Sequence, residues 1–197
     1  MLHKTLRFLS EQLNTYIDQV KKSGDGIEFP FAIMQNISRL DEDTLKTTNK
    51  LLVSLLNISE EPALKNNPDH IKIRGDQAIY GNAPLNLNLF IMVTSFMTNY
   101  ENALIYLSYA INFFQGKYIF DLKNSVTEVE GLPDDFSIIL DLYSLNFEQL
   151  NYVWSTLGGK QHPFVCYKIR LIRMERESAT ETRSVIKEIL INDKMLQ

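Results

Sequence analysis

Leu85-Asn86-Leu87-Asn88-Leu89-Phe90-Ile91-Met92-Val93-Thr94 is the stretch on which the fold turns. Leu85, Leu87, Leu89, Ile91 and Val93 alternate with Asn86, Asn88, Phe90, Met92 and Thr94, which places one wholly aliphatic row on a single face of an extended strand. Such a row demands burial, so the strand belongs to a sheet with something packed on it. The packing element follows directly: Tyr100, Ala103, Leu104, Leu107, Ile111 and Phe114 recur at helical spacing, with Thr98 or Asn99 as N-cap and Gly116 just past the end.

The same logic extends to both sides. Leu2, Leu6, Leu9, Leu13, Tyr16, Ile17 and Val20 form one helical face, and the Ser23-Gly24-Asp25-Gly26 cluster after two lysines turns the chain. A short strand is predicted over Phe31 to Asn36. Leu51 to Ile58 is aliphatic on both alternating faces, as a strand covered on both sides would be, and Glu60-Glu61-Pro62 stops it. Lys65 to Pro84 has no sustained period and reads as a long loop or a loose hairpin. Downstream, Phe136 to Tyr143 alternates as a strand entered through Gly131-Leu132-Pro133-Asp134, and Phe147, Leu150, Val153, Trp154 and Leu157 mark a helix stopped by Gly158-Gly159. Phe164 to Arg173 is a half-exposed strand, with Val165, Tyr167, Ile169 and Leu171 on the apolar side and Lys168 and Arg170 opposite. After Arg176 the spacing does not separate helix from strand. The sum is an α/β (α+β) single domain over 1–197: a mixed or mainly antiparallel sheet with two or three helices packed on it, and 174–197 as a C-terminal interaction segment.

Composition narrows the function. A net charge of -4 exerts no global attraction on a nucleic acid backbone, so no nucleic-acid partner is expected. Arg7 and Glu11 interrupt the first apolar residues before an export signal forms, and no apolar run approaches the ~20 residues of a membrane span, so no direct membrane insertion is expected. Cys166 is the one cysteine, which removes an intrachain disulfide and any multi-cysteine metal site and suits a cytoplasmic setting.

Little in the sequence points to catalysis. His3, His70 and His162 are scattered without the close spacing that puts two imidazoles on one face, and each reads as a surface residue. Cys166 has no adjacent base and reads as a small packing side chain. Glu60-Glu61 and Asp134-Asp135 are neighbours on extended or turning chain, where successive side chains diverge. No phosphate loop, dinucleotide fingerprint or nucleophile elbow occurs, so no catalytic, cofactor or metal residues are assigned. The one basic concentration is Lys168, Arg170, Arg173 and Arg176. It reads either as a solvent face paired with acids on a neighbouring strand or as a docking patch. Together with His70 and Arg74 of the Lys65 to Pro84 loop, these residues are the candidate partner interface, since they are the polar stretches least needed by the core. Tyr106, Tyr109, Phe113 and Phe114 make the second helix aromatic, mostly for core packing, with one ring to spare for an interface.

Five ordered blocks resemble a bacterial family: Leu2 to Leu9, Val53 to Asn66, Pro84 to Phe90, Tyr100-Glu101-Asn102-Ala103-Leu104 through Phe113-Phe114-Gln115-Gly116-Lys117, and Leu145-Asn146-Phe147-Glu148-Gln149-Leu150-Asn151 with Trp154. They are similar to the tail-terminator or cap proteins of extracellular contractile injection systems, the antifeeding-prophage-like and Photorhabdus virulence cassette-like particles. The resemblance implies a phage tail-terminator-like fold and a non-enzymatic structural cap without a cofactor. It implies a homo-hexameric ring that meets inner tube and sheath subunits, assembled in the cytoplasm and then carried as part of the injection particle. It brings no catalytic residues with it. A free-standing adaptor and an enzyme of unrecognised type are the alternatives.

Overall fold

The Leu85 to Thr94 stretch is a strand inside a sheet, as its alternation requires. The chain runs α1 (Leu2–Val20), β1 (Ala32–Met34), β2 (Lys50–Glu60), β3 (Ile71–Arg74), β4 (Gln77–Tyr80), β5 (Leu85–Phe96), α2 (Tyr100–Gly116), β6 (Ile119–Asp121), β7 (Ser137–Leu142), α3 (Phe147–Thr156), β8 (Phe164–Met174) and β9 (Glu181–Ser184). This computed structural model describes residues 1–21, 24–39, 43, 48–62, 71–74, 77–80, 85–126, 129–158, 160–174 and 181–184. Contacts group the chain into two units, Met1–Glu60 with Leu87–Ile172, and Glu61–Asn86 with Arg173–Gln197.

The larger unit is built on a six-stranded mixed sheet ordered β1-β2-β5-β8-β7-β6. β1 runs parallel to β2, whereas β2 with β5, β6 with β7 and β7 with β8 are antiparallel. Two adjacent residues of β8 show which helix covers which face. Tyr167 meets Phe114 of α2 with ring centroids 4.8 Å apart, while Cys166, pointing the other way, clusters with Trp154 of α3. Helices α2 and α3 therefore lie on opposite faces of one sheet.

On the α2 face the core is aromatic. Phe120 is fully buried among Phe8 of α1 (6.4 Å), Phe113 (5.6 Å) and Phe114 (6.1 Å), mostly at the steep interplanar angles that aromatic quadrupoles favour. α1 and α2 meet through Tyr16 and Phe113, 5.2 Å apart. On the α3 face Leu52, Met92, Phe96, Trp154 and Cys166 form a second buried cluster, with Leu150 and Leu157 packed against it. Each fully buried side chain of this size contributes about 1.5–3 kcal/mol of transfer free energy.

The short edge strand β1 is held by a side chain as well as by β2. Asn14, buried on α1, accepts hydrogen bonds from Phe31 N–H and Ala32 N–H at 2.7 Å each and donates to the Ala32 carbonyl at 2.8 Å. Its amide acts as a neighbouring strand would. The helix starts use the same chemistry: Asn99 caps α2 by accepting from Asn102 N–H, and Asn146 and Gln149 form a capping box on α3.

Several expectations need adjustment. β2 is buried on both faces only from Leu51 to Ser54; beyond it a bulge between Leu55 and Asn57 shifts the register and the side chains are mostly exposed. The aliphatic row of β5 is buried at Leu89, Ile91 and Val93, but Leu85 is 52% exposed, beyond the Leu87 to Phe96 segment that pairs with β2. β1 is shorter than Phe31 to Asn36. In the smaller unit, β3, β4 and β9 make an antiparallel three-stranded sheet, so the hairpin reading of the Lys65 to Pro84 region holds at β3 and β4; the flanking 65–70, 75–76 and 81–84 lie outside the described residues.

Candidate functional site

Cys166 is buried, and burial pushes its thiol up to about 11, well away from thiolate reactivity. Its neighbour Tyr167 is pushed up to about 12 for the same reason. His162 corrects the surface expectation: its ring is wedged half-buried between Phe96 at 4.9 Å and Trp154 at 6.2 Å. Burial chiefly, then the charge of Lys160, lowers its pKa, so the imidazole is neutral near pH 7 and serves as a packing ring. His3 is exposed, and His70 lies outside the described residues. Asp134 and Asp135 are exposed in a turn. Among the described residues, no group of three or more His, Cys, Asp or Glu side chains is placed to hold a metal.

Of the six residues proposed for a partner interface, the structure brings Lys168 and Arg170 onto one face of β8. Arg170 Nε donates to Asp141 Oδ2 at 2.6 Å and its Nη2 to Oδ1 at 3.3 Å, a two-bonded grip from the adjacent strand. Asp141 stands opposite Lys168 and Ile139 opposite Arg170, so the pair is diagonal across the β7 and β8 ladder. Both partners are about half exposed, which limits such a pair to about 0.2–1 kcal/mol. The solvent-face reading, a basic strand paired with an acid on its neighbour, thus accounts for Arg170. Cys166 and Ile172 share its parity yet are buried, so the basic segment is a window between covered ends. The side chains of Arg173 (in β8) and Arg74 (in β3) are not described, and Arg176 lies outside the described residues.

Two concave features arise where distant parts of the chain meet, and no local sequence signal announces them. One, of about 540 Å³, is walled by Leu2, His3 and Leu6 of α1 and by Met34, Val53 and Leu55 of β1 and β2. Gln35, Asn36 and Ser54 complete the lining, and the Ser54 hydroxyl donates to the Gln35 carbonyl at 2.6 Å. The other, about 460 Å³, is polar and lined by Asp25, Asn49, Thr98, Asn99 and Asn102. Tyr106 donates its hydroxyl to Asp25 Oδ2 at 2.7 Å. Burial works to raise the Asp25 pKa, but this bond, the Ile27 N–H and the charge of Lys21 together bring it below the ordinary value.

The sequence profile of the Pvc16 N-terminal domain matches residues 4–188, nearly the whole chain. The chain belongs to the Pvc16 N-terminal domain family. The fold agrees. It superposes with a TM-score of 0.68 at 11% identity on the PVC sheath/tube terminator in the extended state, from an extracellular contractile injection system, covering 100% of this chain and 64% of that one. With the tube-terminating cap of the anti-feeding prophage the TM-score is 0.65 at 12% identity, covering 98% of this chain and 61% of that one. The chain spans less than two thirds of the length of either solved relative. No curated protein sequence matches it significantly. The relatives are described as a terminator and a cap, structural parts of a particle, and the mixed α/β fold expected from the sequence is the one they share.

Proposed function

We propose that this protein closes the end of a contractile injection tail, stopping further addition of inner tube and sheath subunits. The observation that carries the reading is the match of the family profile over residues 4–188, joined by a fold likeness that spans the whole chain. A growing tube presents the same binding surface after every added layer. A capping protein binds that surface and offers no copy of it outward, so growth stops by shape and no catalysis is needed.

In this reading residues 1–197 act as one terminator domain and 174–197 add contacts to it. Six copies form a ring matching the tube, assembled in the cytoplasm and retained in the particle, with no cofactor and no nucleic acid partner. Lys168, Arg170, Arg173 and Arg176, with His70 and Arg74, contribute to contacts with tube, sheath or the next copy. No described helix is long and apolar enough to cross a membrane, which is compatible with a soluble assembly partner.

The test is electron microscopy of injection particles from cells with and without the gene. Loss of a defined length, seen as overlong, stunted or sheath-stripped tails, supports the cap. Particles of normal length and capped ends in its absence reject it.

A further inference from the structure

An open sheet ends in two edge strands, and each edge turns backbone N–H and C=O groups outward, a template on which another chain can add a strand. In the six-stranded sheet those edges are β1 and β6. The hydrogen bonds inside the sheet show which of their groups face out. Leu51 N–H donates to the Phe31 carbonyl and Gln35 N–H to the Val53 carbonyl, so Phe31 and Gln35 turn those groups to β2. By alternation Ala32 turns both of its own away from β2. At the other edge Leu140 N–H donates to the Tyr118 carbonyl, so Tyr118 and Phe120 face β7 while Ile119 and Asp121 face outward.

The same kind of side chain meets the outward groups at both edges. At β1, Asn14 takes the N–H and the C=O of Ala32. At β6, Asn124 Oδ1 accepts from Asp121 N–H at 3.2 Å and Asn124 Nδ2 donates to the Ile119 carbonyl at 3.1 Å. The Asp121 carbonyl accepts from the Ser125 hydroxyl. An asparagine side chain carries the donor and the acceptor of a peptide group, so each edge is finished by a peptide-like group that belongs to no strand. Asn124 is itself held in place: its backbone N–H donates to Asp121 Oδ1 at 2.7 Å, and Lys117 Nζ donates to its carbonyl.

The residues around β6 make an unguarded edge costly. Tyr118, Ile119 and Val126 are exposed, and aromatic and β-branched side chains beside open backbone groups favour strand pairing. The strand Ile119-Phe120-Asp121 contains neither proline nor lysine, the residues that usually blunt an edge, and β1, Ala32-Ile33-Met34, has no charge at all. We propose that Asn14 and Asn124 close the two edges of this sheet against strand addition, above all by the same edge of a second copy. The inference stands apart from the capping reading. It assigns this unit's contacts with other chains to side-chain surfaces and not to extension of the six-stranded sheet.

The test is the mass of the full chain in solution, by sedimentation over a range of concentrations, with circular dichroism to confirm the fold. Asn124→Ala releases the Ile119 carbonyl and the Asp121 N–H at an exposed turn, away from the core. Two β6 edges pair antiparallel about a two-fold axis and close after one pairing, so the variant should add a species of about twice the parent mass whose share grows with concentration. Adding Ile119→Lys to Asn124→Ala puts a charge on the opened edge and should return the parent mass. Asn14→Ala, kept cold enough to stay folded, should associate in the same concentration-dependent way through β1. A folded Asn124→Ala with the parent mass at every concentration would overturn the proposal. So would association that Ile119→Lys leaves unchanged, which places the contact elsewhere, and so would loss of the fold in Asn124→Ala, which makes the amide a structural bond alone. Folded Asn14→Ala at the parent mass would remove β1 from it.

Discussion

Replacing Asn14 by Ala should cost the fold far more than a single amide suggests. The side chain serves two backbone N–H groups, of Phe31 and Ala32, and the carbonyl of Ala32, all at 2.7–2.8 Å and all buried. Alanine fills little of the space and pairs none of the three. A buried backbone group left unpaired costs about 1–3 kcal/mol, and with some relief from entering water the sum is roughly 3–5 kcal/mol. Set against a total stability of about 5–15 kcal/mol, that is a large share. At about 2–4 °C per kcal/mol for a chain of this size, the midpoint of thermal unfolding should fall by about 10 °C. Urea unfolding followed by circular dichroism gives the free energy, and amide exchange gives its location: β1 should lose protection first, since β2 alone holds it once Asn14 is gone. A loss below about 1 kcal/mol, or exchange unchanged at Phe31 and Ala32, would show that the edge strand does not depend on this amide.

Phe120→Ala, emptying the centre of the four-ring cluster with Phe8, Phe113 and Phe114, should destabilise by about 3–5 kcal/mol in the same unfolding assay, and a loss under about 1.5 kcal/mol would contradict the packing. His162 has a folded pKa below the ordinary 6.5, so its neutral form fits the fold; stability is fully present above that value and declines as pH falls through it towards the folded pKa. Melting curves between pH 7.5 and 5 should show this decline in the parent and a flatter profile in His162→Gln; identical slopes would remove His162 as the cause. Charge reversal of Lys168 and Arg170 to Glu should lower stability by about 1–2 kcal/mol, because the half-exposed ion pair with Asp141 is lost and two new carboxylates face Asp141 across the ladder, while reducing the yield of capped particles. Unchanged particle yield would take this face out of the interface.

Much of the fold was legible because its helices and main strands carry strong periods. Asn99 sits where a cap belongs, and the alternation in β5 and β7 sets their buried rows without reference to neighbours. The order β1-β2-β5-β8-β7-β6 was not legible, since it depends on which strands meet across long connections. β6 is three residues long, too short to show a period, and β9 is the polar run Glu181-Thr182-Arg183-Ser184, whose pairing with β4 no apolar row marks. Asn14 gave no warning either. One asparagine in an amphipathic helix looks like any polar residue until the backbone it serves arrives 17 residues later. For the candidate site, the basic strand face was readable as alternation in β8, but its closure by Asp141 needed the β7 and β8 register. The periods of α2 and α3 show in the sequence; only the fold reveals that the two helices lie on opposite sides of the sheet.

The most direct test of the capping account is to find the protein on the particle. Copies carrying a small gold-binding tag should label one end of each intact tail, the end away from the baseplate, with no label along the sheath. Label distributed along the tail, at the baseplate, or absent from purified particles of normal length would contradict it.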